Sequence, residues 1–236
     1  MVDMEEKVNI YHAPYHWTLP YFYNYQYERP IAILEDEGLL GKDKTVLDVG
    51  CGDGRISFLL SKKVGKVYGI DNQPGPVEMG KLLNAAAPNV ELSMGDACEI
   101  PFPEENFDLV VSMDVVEHVP EDMAEKMVSE MARVCKKGGH VVVATPNREN
   151  LRSRLWGHKP DEKHYKEYTV DEMCRMLENA GLTVRKKYGI YLPPPVPMSE
   201  HYANVMPFKF LFKTLVDAGK SRPSLSEKML IIAEKQ

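Results

Sequence analysis

Short apolar runs alternate with helical patterns from Thr45 onward, and this alternation limits the fold more than any other feature of the chain. Five short apolar runs are predicted strands, at 45–49, 66–70, 90–94, 107–112 and 140–145. Between them, apolar residues recur at helical spacing over 55–64, 76–87 and 121–135. Strands separated by helices pair in parallel through right-handed crossovers. The alternation therefore predicts an α/β fold, a doubly wound sheet with helices on both faces.

The rest of the pattern adds one helix and two strands. Thr169 and Glu172 have the spacing of a capping box, and an apolar stripe at helical spacing follows them. Gly181 stands where a helix commonly ends. Residues 182–191 and 227–234 are predicted as the last two strands.

Composition excludes several classes of protein. The 236 residues, 44% hydrophobic and 27% charged, suit one globular domain. A net charge of −6 gives no attraction to nucleic-acid phosphates. The four cysteines form no C-x-x-C pair, which argues against a zinc ribbon or a thioredoxin-type motif. No apolar run reaches the roughly 18 residues of a transmembrane helix, and no signal-peptide pattern is present, so we expect a cytoplasmic protein without a transmembrane segment or a nucleic-acid partner.

The segments just after the strands hold the residues with ligand-binding chemistry, because ligands of such sheets bind beyond the carboxyl ends of the strands. A glycine-rich turn follows the first strand, where Gly50 and Gly52 allow a ligand to approach bare backbone at a helix N-terminus. Asp71 ends the second strand and suits a ribose diol. Asp96 follows the third strand and offers an acceptor to an exocyclic amine, while the N–H of Ala97 suits a ring nitrogen.

The spacing of the glycines favours a nucleoside without a pyrophosphate. The turn has the pattern G-x-G-x-G, whereas a dinucleotide site uses G-x-G-x-x-G, and Arg55 occupies the position of the third glycine. No G-x-x-x-x-G-K-[ST] pattern occurs, so a P-loop is excluded. A tight turn without a ligand is the other interpretation of the glycines, but the acidic residues after the next two strands make it unattractive.

The segment Val46-Leu-Asp48-Val-Gly50-Cys-Gly52-Asp-Gly54, together with Asp71 and Gly95-Asp96-Ala97, resembles the class I S-adenosylmethionine-dependent methyltransferases. The segments 96–108 and 116–119 are similar to the type 11 branch, which includes ubiquinone and menaquinone biosynthesis methyltransferases. The resemblance covers about 41–190. It implies a seven-stranded Rossmann-like sheet in the order 3-2-1-4-5-7-6, with strand 7 antiparallel.

The resemblance also implies the division of the chain and the roles of its residues. Residues 1–40 would form an N-terminal cap or lid, and 41–236 the methyltransferase domain, with an insertion at 192–226 between the last two strands. S-adenosyl-L-methionine would be the cofactor and S-adenosyl-L-homocysteine the product. The cofactor-binding residues would be Asp48, Gly50, Cys51, Gly52, Asp71, Asn72, Asp96, Ala97 and Met113.

His118 follows the fourth strand, near the expected position of methyl transfer, and is our candidate for a general base. It could equally cap the next helix or brace the cofactor loop. Asp114, Glu117 and His118 form a D-x-x-E-H pattern that could hold a divalent ion, but such spacing arises easily in a polar loop, and we predict no metal. The [DNS]-P-P-[FYW] motif common in methyltransferases acting on amides is absent here, which favours oxygen or carbon of a small molecule as the acceptor.

Eight of the 21 aromatic residues fall within 11–27. Pro14, Pro20 and Pro30 predict that this stretch is divided into short pieces. Tyr15, Trp17 and Tyr21 are candidates to close over the pocket or line the acceptor site, although simple anchoring is as good an interpretation.

His164 is a further candidate beside the acceptor, and the basic residues of 148–163 form either a solvated face or an anion-attracting one. The apolar stretch 205–217 follows a proline-rich turn and is core packing, an apolar wall for the acceptor or a peripheral membrane contact. The oligomeric state is not predicted. Two other functions remain as alternatives, a catalytically silent cofactor-binding scaffold and a nicotinamide-dependent oxidoreductase.

Overall fold

The computed structural model describes residues 17, 21–193, 214–215 and 217–236. Their strands form one seven-stranded sheet in the order β3-β2-β1-β4-β5-β7-β6. The strands are β1 (Thr45–Val49), β2 (Lys66–Asp71), β3 (Val90–Met94), β4 (Phe107–Met113), β5 (Cys135–Pro146), β6 (Leu182–Gly189) and β7 (Lys228–Lys235). Strands β1 to β5 pair in parallel, and β7 lies antiparallel between β5 and β6. The predicted fold class and strand order are confirmed.

The helices of the described residues connect these strands and cover the sheet. They are α1 (Tyr21–Asp36), α2 (Arg55–Ser61), α3 (Pro74–Leu83), α4 (Glu121–Val134), α5 (Leu151–Trp156) and α6 (Val170–Asn179), with a short 3₁₀ turn at Val116–His118. The predicted capping box at Thr169 and Glu172 is present at the start of α6. None of the helices in the described ranges is long and apolar enough to cross a bilayer.

The central strands are buried on both faces, as a parallel sheet requires. On β1, Leu47 belongs to an apolar cluster with Met127 of α4 and Leu177 of α6. Its neighbour Val46 belongs to a second cluster, with Leu60 of α2. Successive side chains of one strand therefore pack against helices on opposite faces of the sheet. This packing fixes the carboxyl ends of the strands, which the polar residues follow in the sequence.

Helices α2 and α3 end earlier than predicted, at Ser61 and Leu83, and α5 was not predicted from the sequence. Two larger differences have a physical explanation. Helix α4 ends at Val134, and β5 begins at Cys135 instead of residue 140. Cys135 pairs with Phe107 and His140 with Leu109, so β5 accommodates the intervening residues in a bulge in which Gly138 has a φ of 73°. The lysines and glycines at 136–139 predicted a turn, and the sequence alone does not indicate that the residues of this turn pair with β4.

The second difference concerns Pro30, which was expected to break the aromatic segment but lies inside the 16-residue helix α1. A proline within a helix costs about 3 kcal/mol. The residues that follow it offset this cost, because Ile33 and Leu34 are fully buried against Leu60 of α2. The division into a 1–40 cap and a 41–236 domain stays a prediction.

Candidate functional site

The glycine turn after β1 has a backbone that requires glycine and a surface that is open. Gly50 has a φ of 75°, and its N–H donates to the carbonyl oxygen of Ile70 at 2.8 Å. A Cβ at Gly50 would lie 2.4 Å from Cγ2 of Val115, so the turn after β1 touches the turn after β4. A Cβ at Gly52 would have no neighbour within 4 Å. The turn is thus packed on one side and leaves room beside Gly52 on the other.

Asp71 joins the turns after the first three strands. Its Oδ2 accepts a hydrogen bond from the N–H of Gly52 at 2.9 Å, and Oδ1 accepts one from the N–H of Gln73 at 2.9 Å. The carbonyl of Asp71 accepts from the N–H of Gly95 at 3.0 Å. Burial raises the pKa of the carboxyl group, while the backbone donors oppose that effect. Each carboxylate oxygen keeps another lone pair, so Asp71 can still bind a pair of hydroxyl groups.

Asp96 and Ala97 lie beside this group, and Asn72 is exposed next to Asp71. Oδ1 of Asp96 accepts from the N–H of Cys98 at 2.8 Å, which fixes the turn. Asp96 is exposed, and Ala97 is partly buried against the core. An exposed acceptor on a fixed turn suits an exocyclic amine.

Asp48 and Cys51 are placed under the glycine turn. Asp48 is 2% exposed, and its Oδ2 accepts from Oγ of Ser57 at 2.6 Å. Burial raises the pKa of Asp48 to about 7 and raises the pKa of the Cys51 thiol far above its ordinary value. Both side chains therefore brace the turn from inside, and their direct contact with a cofactor stays a prediction.

A turn with several buried polar groups follows β4. Met113 is half-buried, and Asp114 has a φ of 57°. Oδ2 of Asp114 accepts from Nζ of Lys228 at 2.5 Å. Oε2 of Glu117 accepts from Oγ1 of Thr145 at 2.9 Å, and Oε1 is buried without a partner among the described residues. Burial, and then repulsion from Asp114, raise the pKa of Glu117 well above its ordinary value.

His118 and His164 meet above this turn. Their ring centroids are 4.8 Å apart, with the edge of one ring toward the face of the other. Nδ1 of His118 lies 3.2 Å from the carbonyl oxygen of Lys163. With the proton on Nδ1 donated there, Nε2 is the acceptor, and burial lowers the pKa of His118. His118 therefore fits the state that a general base needs.

Glu117, His118 and His164 could also hold a metal ion. Each offers one ligand atom, and these atoms lie within 4.8 Å of one another. This set differs from the D-x-x-E-H pattern, since His164 takes the place of Asp114, whose Oδ2 binds Lys228. The prediction that no metal binds remains a prediction.

A cavity of about 590 Å³ opens next to these groups, at the carboxyl end of β5 and the start of β7. Its lining combines an aromatic and apolar wall with charged residues: Pro146, Asn150, Arg152, Ser153, Trp156, Gly157, His158, Lys159, Asp161, His164, Glu167, Tyr191, Glu227 and Lys228. A second cavity, of about 270 Å³ and lined by Lys44, Lys136 and His140 among others, lies at the opposite edge of the sheet. Of these two cavities, only the larger lies at the carboxyl ends of the parallel strands, where the turns described above are found.

Comparisons with known proteins identify the family. A family model described as "Methyltransferase domain" matches residues 47–143. The chain is 42% identical over 125 residues to a probable chloroplastic tocopherol O-methyltransferase of Oryza sativa subsp. japonica; the match covers 51% of this chain and 34% of that protein. It is 30% identical over 195 residues to a ubiquinone biosynthesis O-methyltransferase of Aliivibrio fischeri; the match covers 77% of this chain and 78% of that protein. The chain belongs to the class I S-adenosylmethionine-dependent methyltransferases, in the type 11 group.

Solved structures agree on the fold. A methyltransferase from Aquifex aeolicus superimposes with a TM-score of 0.63 at 22% identity, covering 97% of this chain and 96% of that one. This likeness shows the Rossmann-like sheet and nothing finer. The comparisons lend no support to an oxidoreductase or to a silent scaffold.

The cofactor of this methyltransferase family is S-adenosylmethionine, and the residues present fit it. The open space at Gly52 leaves backbone accessible, Asp71 retains acceptor capacity for a ribose, and Asp96 is exposed. The structure brings Gly50, Gly52, Asp71 and Val115 into contact at one edge. Their contacts with the cofactor stay predictions.

The N-terminal candidates are only partly within the described residues. The ring of Trp17 lies 4.9 Å from that of Phe58, and the guanidinium carbon of Arg55 is 5.2 Å from the Trp17 ring. Both partners belong to α2, which begins directly after the glycine turn of this methyltransferase. Tyr15 lies outside the described residues, as do the side chain of Tyr21 and the stretch 205–213, and the lid remains a prediction.

Sequence reasoning missed Glu167. Its Oε1 lies 2.8 Å from Nδ1 of His164, and its Oε2 lies 3.6 Å from Nε2 of His158. Glu167 thereby orients two histidines that line the cavity of the methyltransferase. The spacing H-x-x-E between His164 and Glu167 is the only signal that could have indicated the pair.

Proposed function

We propose that this protein transfers a methyl group from S-adenosylmethionine to an oxygen or carbon atom of a small-molecule acceptor held in the 590 Å³ cavity. The observation that carries the proposal is the position of the cavity. Its wall includes His164 and Lys228, which contact His118 and Asp114 of the turn after β4. Cofactor and acceptor sites would then share that turn, as direct transfer between two bound molecules requires.

An apolar, quinone-like or lipid-like acceptor is the proposed substrate. Two relatives have names that include tocopherol and ubiquinone biosynthesis. Trp156, Tyr191 and Pro146 give the cavity aromatic and apolar surface that suits such a molecule. We propose a cytoplasmic location, with no nucleic-acid partner.

In the proposed reaction, the cofactor supplies a methyl group on a sulfonium that is already a good leaving group. Gly50 and Gly52 would hold its amino-acid part, Asp71 its ribose, and Asp96 with Ala97 its adenine. The tasks left to the chain are to align the acceptor, exclude water and accept a proton from a hydroxyl acceptor. Nε2 of His118 is proposed to receive that proton.

The test incubates the protein with radiolabelled S-adenosylmethionine and fractionated metabolite and lipid extracts. We expect label in a small, apolar product, together with release of S-adenosylhomocysteine. Tight cofactor binding without label in any fraction would contradict the proposal and favour a silent scaffold.

His118 is tested separately once an acceptor is identified. The His118→Ala variant should lower kcat, with the loss largest at the pH where a hydroxyl acceptor stays protonated. Full turnover by a folded variant across the neutral range would refute the role of the base. Loss of activity with a chelator, restored by a divalent ion, would instead assign the histidines to a metal.

A further inference from the structure

The rim of the cavity exposes apolar side chains in one short stretch of the chain. Among the described residues, six large hydrophobic residues are exposed, and three of them lie within eleven consecutive positions: Leu155 (56%), Trp156 (68%) and Tyr165 (65%). Every residue from 154 to 163 is exposed. Single exposed apolar residues are ordinary, but a cluster of this kind commonly marks an interaction surface.

The backbone beneath these side chains is fixed, so their exposure is a property of the fold. The N–H of Leu151 donates to the carbonyl of Leu225 at 2.9 Å, and the side chain of Asn150 caps α5 by accepting from the N–H of Ser153 at 3.0 Å. The N–H of Tyr165 donates to the carbonyl of Glu117 at 2.8 Å. Both ends of the segment are therefore anchored to neighbouring turns, before β7 and after β4, while its apolar side chains are exposed.

The segment is richer in basic residues than the chain as a whole. Residues 152–166 contain five lysines and arginines against two acidic residues, although Arg152, Arg154 and Lys166 pair with Glu227, Glu149 and Glu121 outside the segment. Lys159 and Lys163 are exposed and make no ion pair within the described ranges. A tryptophan and a leucine flanked by unpaired lysines match the interface of an anionic bilayer, where the aromatic ring lies at the headgroup level and the ammonium groups meet lipid phosphates.

We propose that the segment 152–166 is a membrane-docking surface that binds anionic lipid bilayers, with Leu155, Trp156 and Tyr165 entering the headgroup region and Lys159 and Lys163 contacting the phosphates. Trp156, Lys159 and His164 also line the cavity, so its mouth faces the bilayer. If the proposed function holds, an apolar acceptor enters the cavity directly from the membrane. The docking itself does not depend on methyl transfer.

The experiment measures sedimentation of the full chain with vesicles of phosphatidylcholine alone and of equal parts phosphatidylcholine and phosphatidylglycerol. Binding is expected only to the anionic vesicles. Lys159→Gln with Lys163→Gln should weaken it by about 25-fold, since one lysine near an anionic surface contributes about fivefold. Leu155→Ser with Trp156→Ser should weaken it by about tenfold through the lost apolar contact.

Matched controls occupy other parts of the surface. Leu82→Ser changes a leucine that is 74% exposed on α3, and Lys137→Gln changes a lysine that is 71% exposed on β5. Neither should alter vesicle binding. Circular dichroism of each variant checks that it is folded. The tryptophan emission of the wild type should shift to the blue and be quenched by brominated lipid, and both effects should be lost when Trp156 is replaced, since Trp17 is the other tryptophan of the chain.

Four results would overturn the proposal: no binding to the anionic vesicles, equal binding to neutral vesicles, an equal effect of the control variants, or charge-dependent binding that Leu155→Ser and Trp156→Ser leave intact. The last result would mean that the protein is attracted by charge alone and that these apolar side chains do not enter the headgroup region. Because no step requires an acceptor, vesicle binding without methyl transfer would sustain the docking surface and contradict only the proposed function.

Discussion

Gly50→Ala tests whether the turns after β1 and β4 are joined as the structure places them. The new Cβ would lie 2.4 Å from Cγ2 and 2.8 Å from Cγ1 of Val115, far inside contact distance. The N–H of Gly50 is bonded to the carbonyl of Ile70, so the turn cannot easily move away. The left-handed φ of 75° costs an alanine about 1–2 kcal/mol, and the overpacking about 1–3 kcal/mol. We expect the free energy of unfolding to fall by about 2–5 kcal/mol.

A double-mutant cycle with Val115→Ala separates the two costs. Urea unfolding followed by circular dichroism gives the free energy for each of the four proteins. In the Val115→Ala background the two closest contacts are removed and only Cβ of residue 115 remains, at 3.1 Å. Gly50→Ala should then cost mainly the backbone strain of about 1–2 kcal/mol. The expected coupling energy is therefore about 1–3 kcal/mol. Equal costs of Gly50→Ala in both backgrounds would refute the contact between the turns.

Gly52→Ala is the matched variant that adds a methyl group to the same turn without a clash, and it tests whether the cofactor approaches this glycine. Its φ is 51°, so the backbone strain is similar, but no atom lies within 4 Å of the added Cβ. Stability should fall by only about 1–2 kcal/mol. Affinity for S-adenosylmethionine, measured by calorimetry, should fall disproportionately because the methyl group fills the space expected for the ligand. Unchanged affinity would show that the cofactor does not approach Gly52.

Three further changes have direct predictions. Asp71→Asn removes the charge of the acceptor, and a hydrogen bond to a charged group contributes about 1.5–3 kcal/mol. The affinity for S-adenosylmethionine, measured by calorimetry, should therefore fall by about ten- to a hundredfold. Asp48 has a pKa raised to about 7 when folded, so the stability that this carboxyl group contributes is lost as pH rises from about 4 to 7. Asp48→Asn should remove that contribution, about 4 kcal/mol, from the unfolding free energies measured in urea across this range, and an unchanged slope would contradict it. Thr169→Ala removes the oxygen that caps the N–H of Glu172 and should cost about 1 kcal/mol of unfolding free energy while leaving cofactor affinity intact.

The parts of the fold that the sequence predicted correctly are those determined by local patterns, meaning residues close to one another along the chain. The alternation of apolar residues located all seven strands, and the glycines after β1 marked a turn whose three glycines have positive φ. The strand order and the reversed β7 came from the family resemblance, since local patterns carry no information about which strands pair. The predictions of a break at Pro30 and of a start of β5 at residue 140 were wrong for the same reason. Ile33 and Cys135 are fixed by contacts with distant residues, and these contacts outweigh local preference.

The two halves of the candidate site differ in the same way. Asp71 accepts a hydrogen bond from the backbone N–H of Gly52. Because this contact requires an acidic residue at the end of a strand, the sequence alone could indicate Asp71. The acceptor side is joined by the N–H of Tyr165 to the carbonyl of Glu117, and by the ring of His118 to the carbonyl of Lys163. Backbone groups of any residue could make such bonds, so no pattern announces them.

Glu117 connects these two halves physically. Its side chain is held by Thr145 at the end of β5, while its carbonyl holds the loop that carries His164 and Glu167. A shift of the turn after β4, which touches Gly50 through Val115, would therefore move the histidines along with the glycine turn. Cofactor binding against the glycine turn should then order the acceptor cavity as well, and acceptor binding should tighten the cofactor by the same factor, because coupling between two sites is reciprocal.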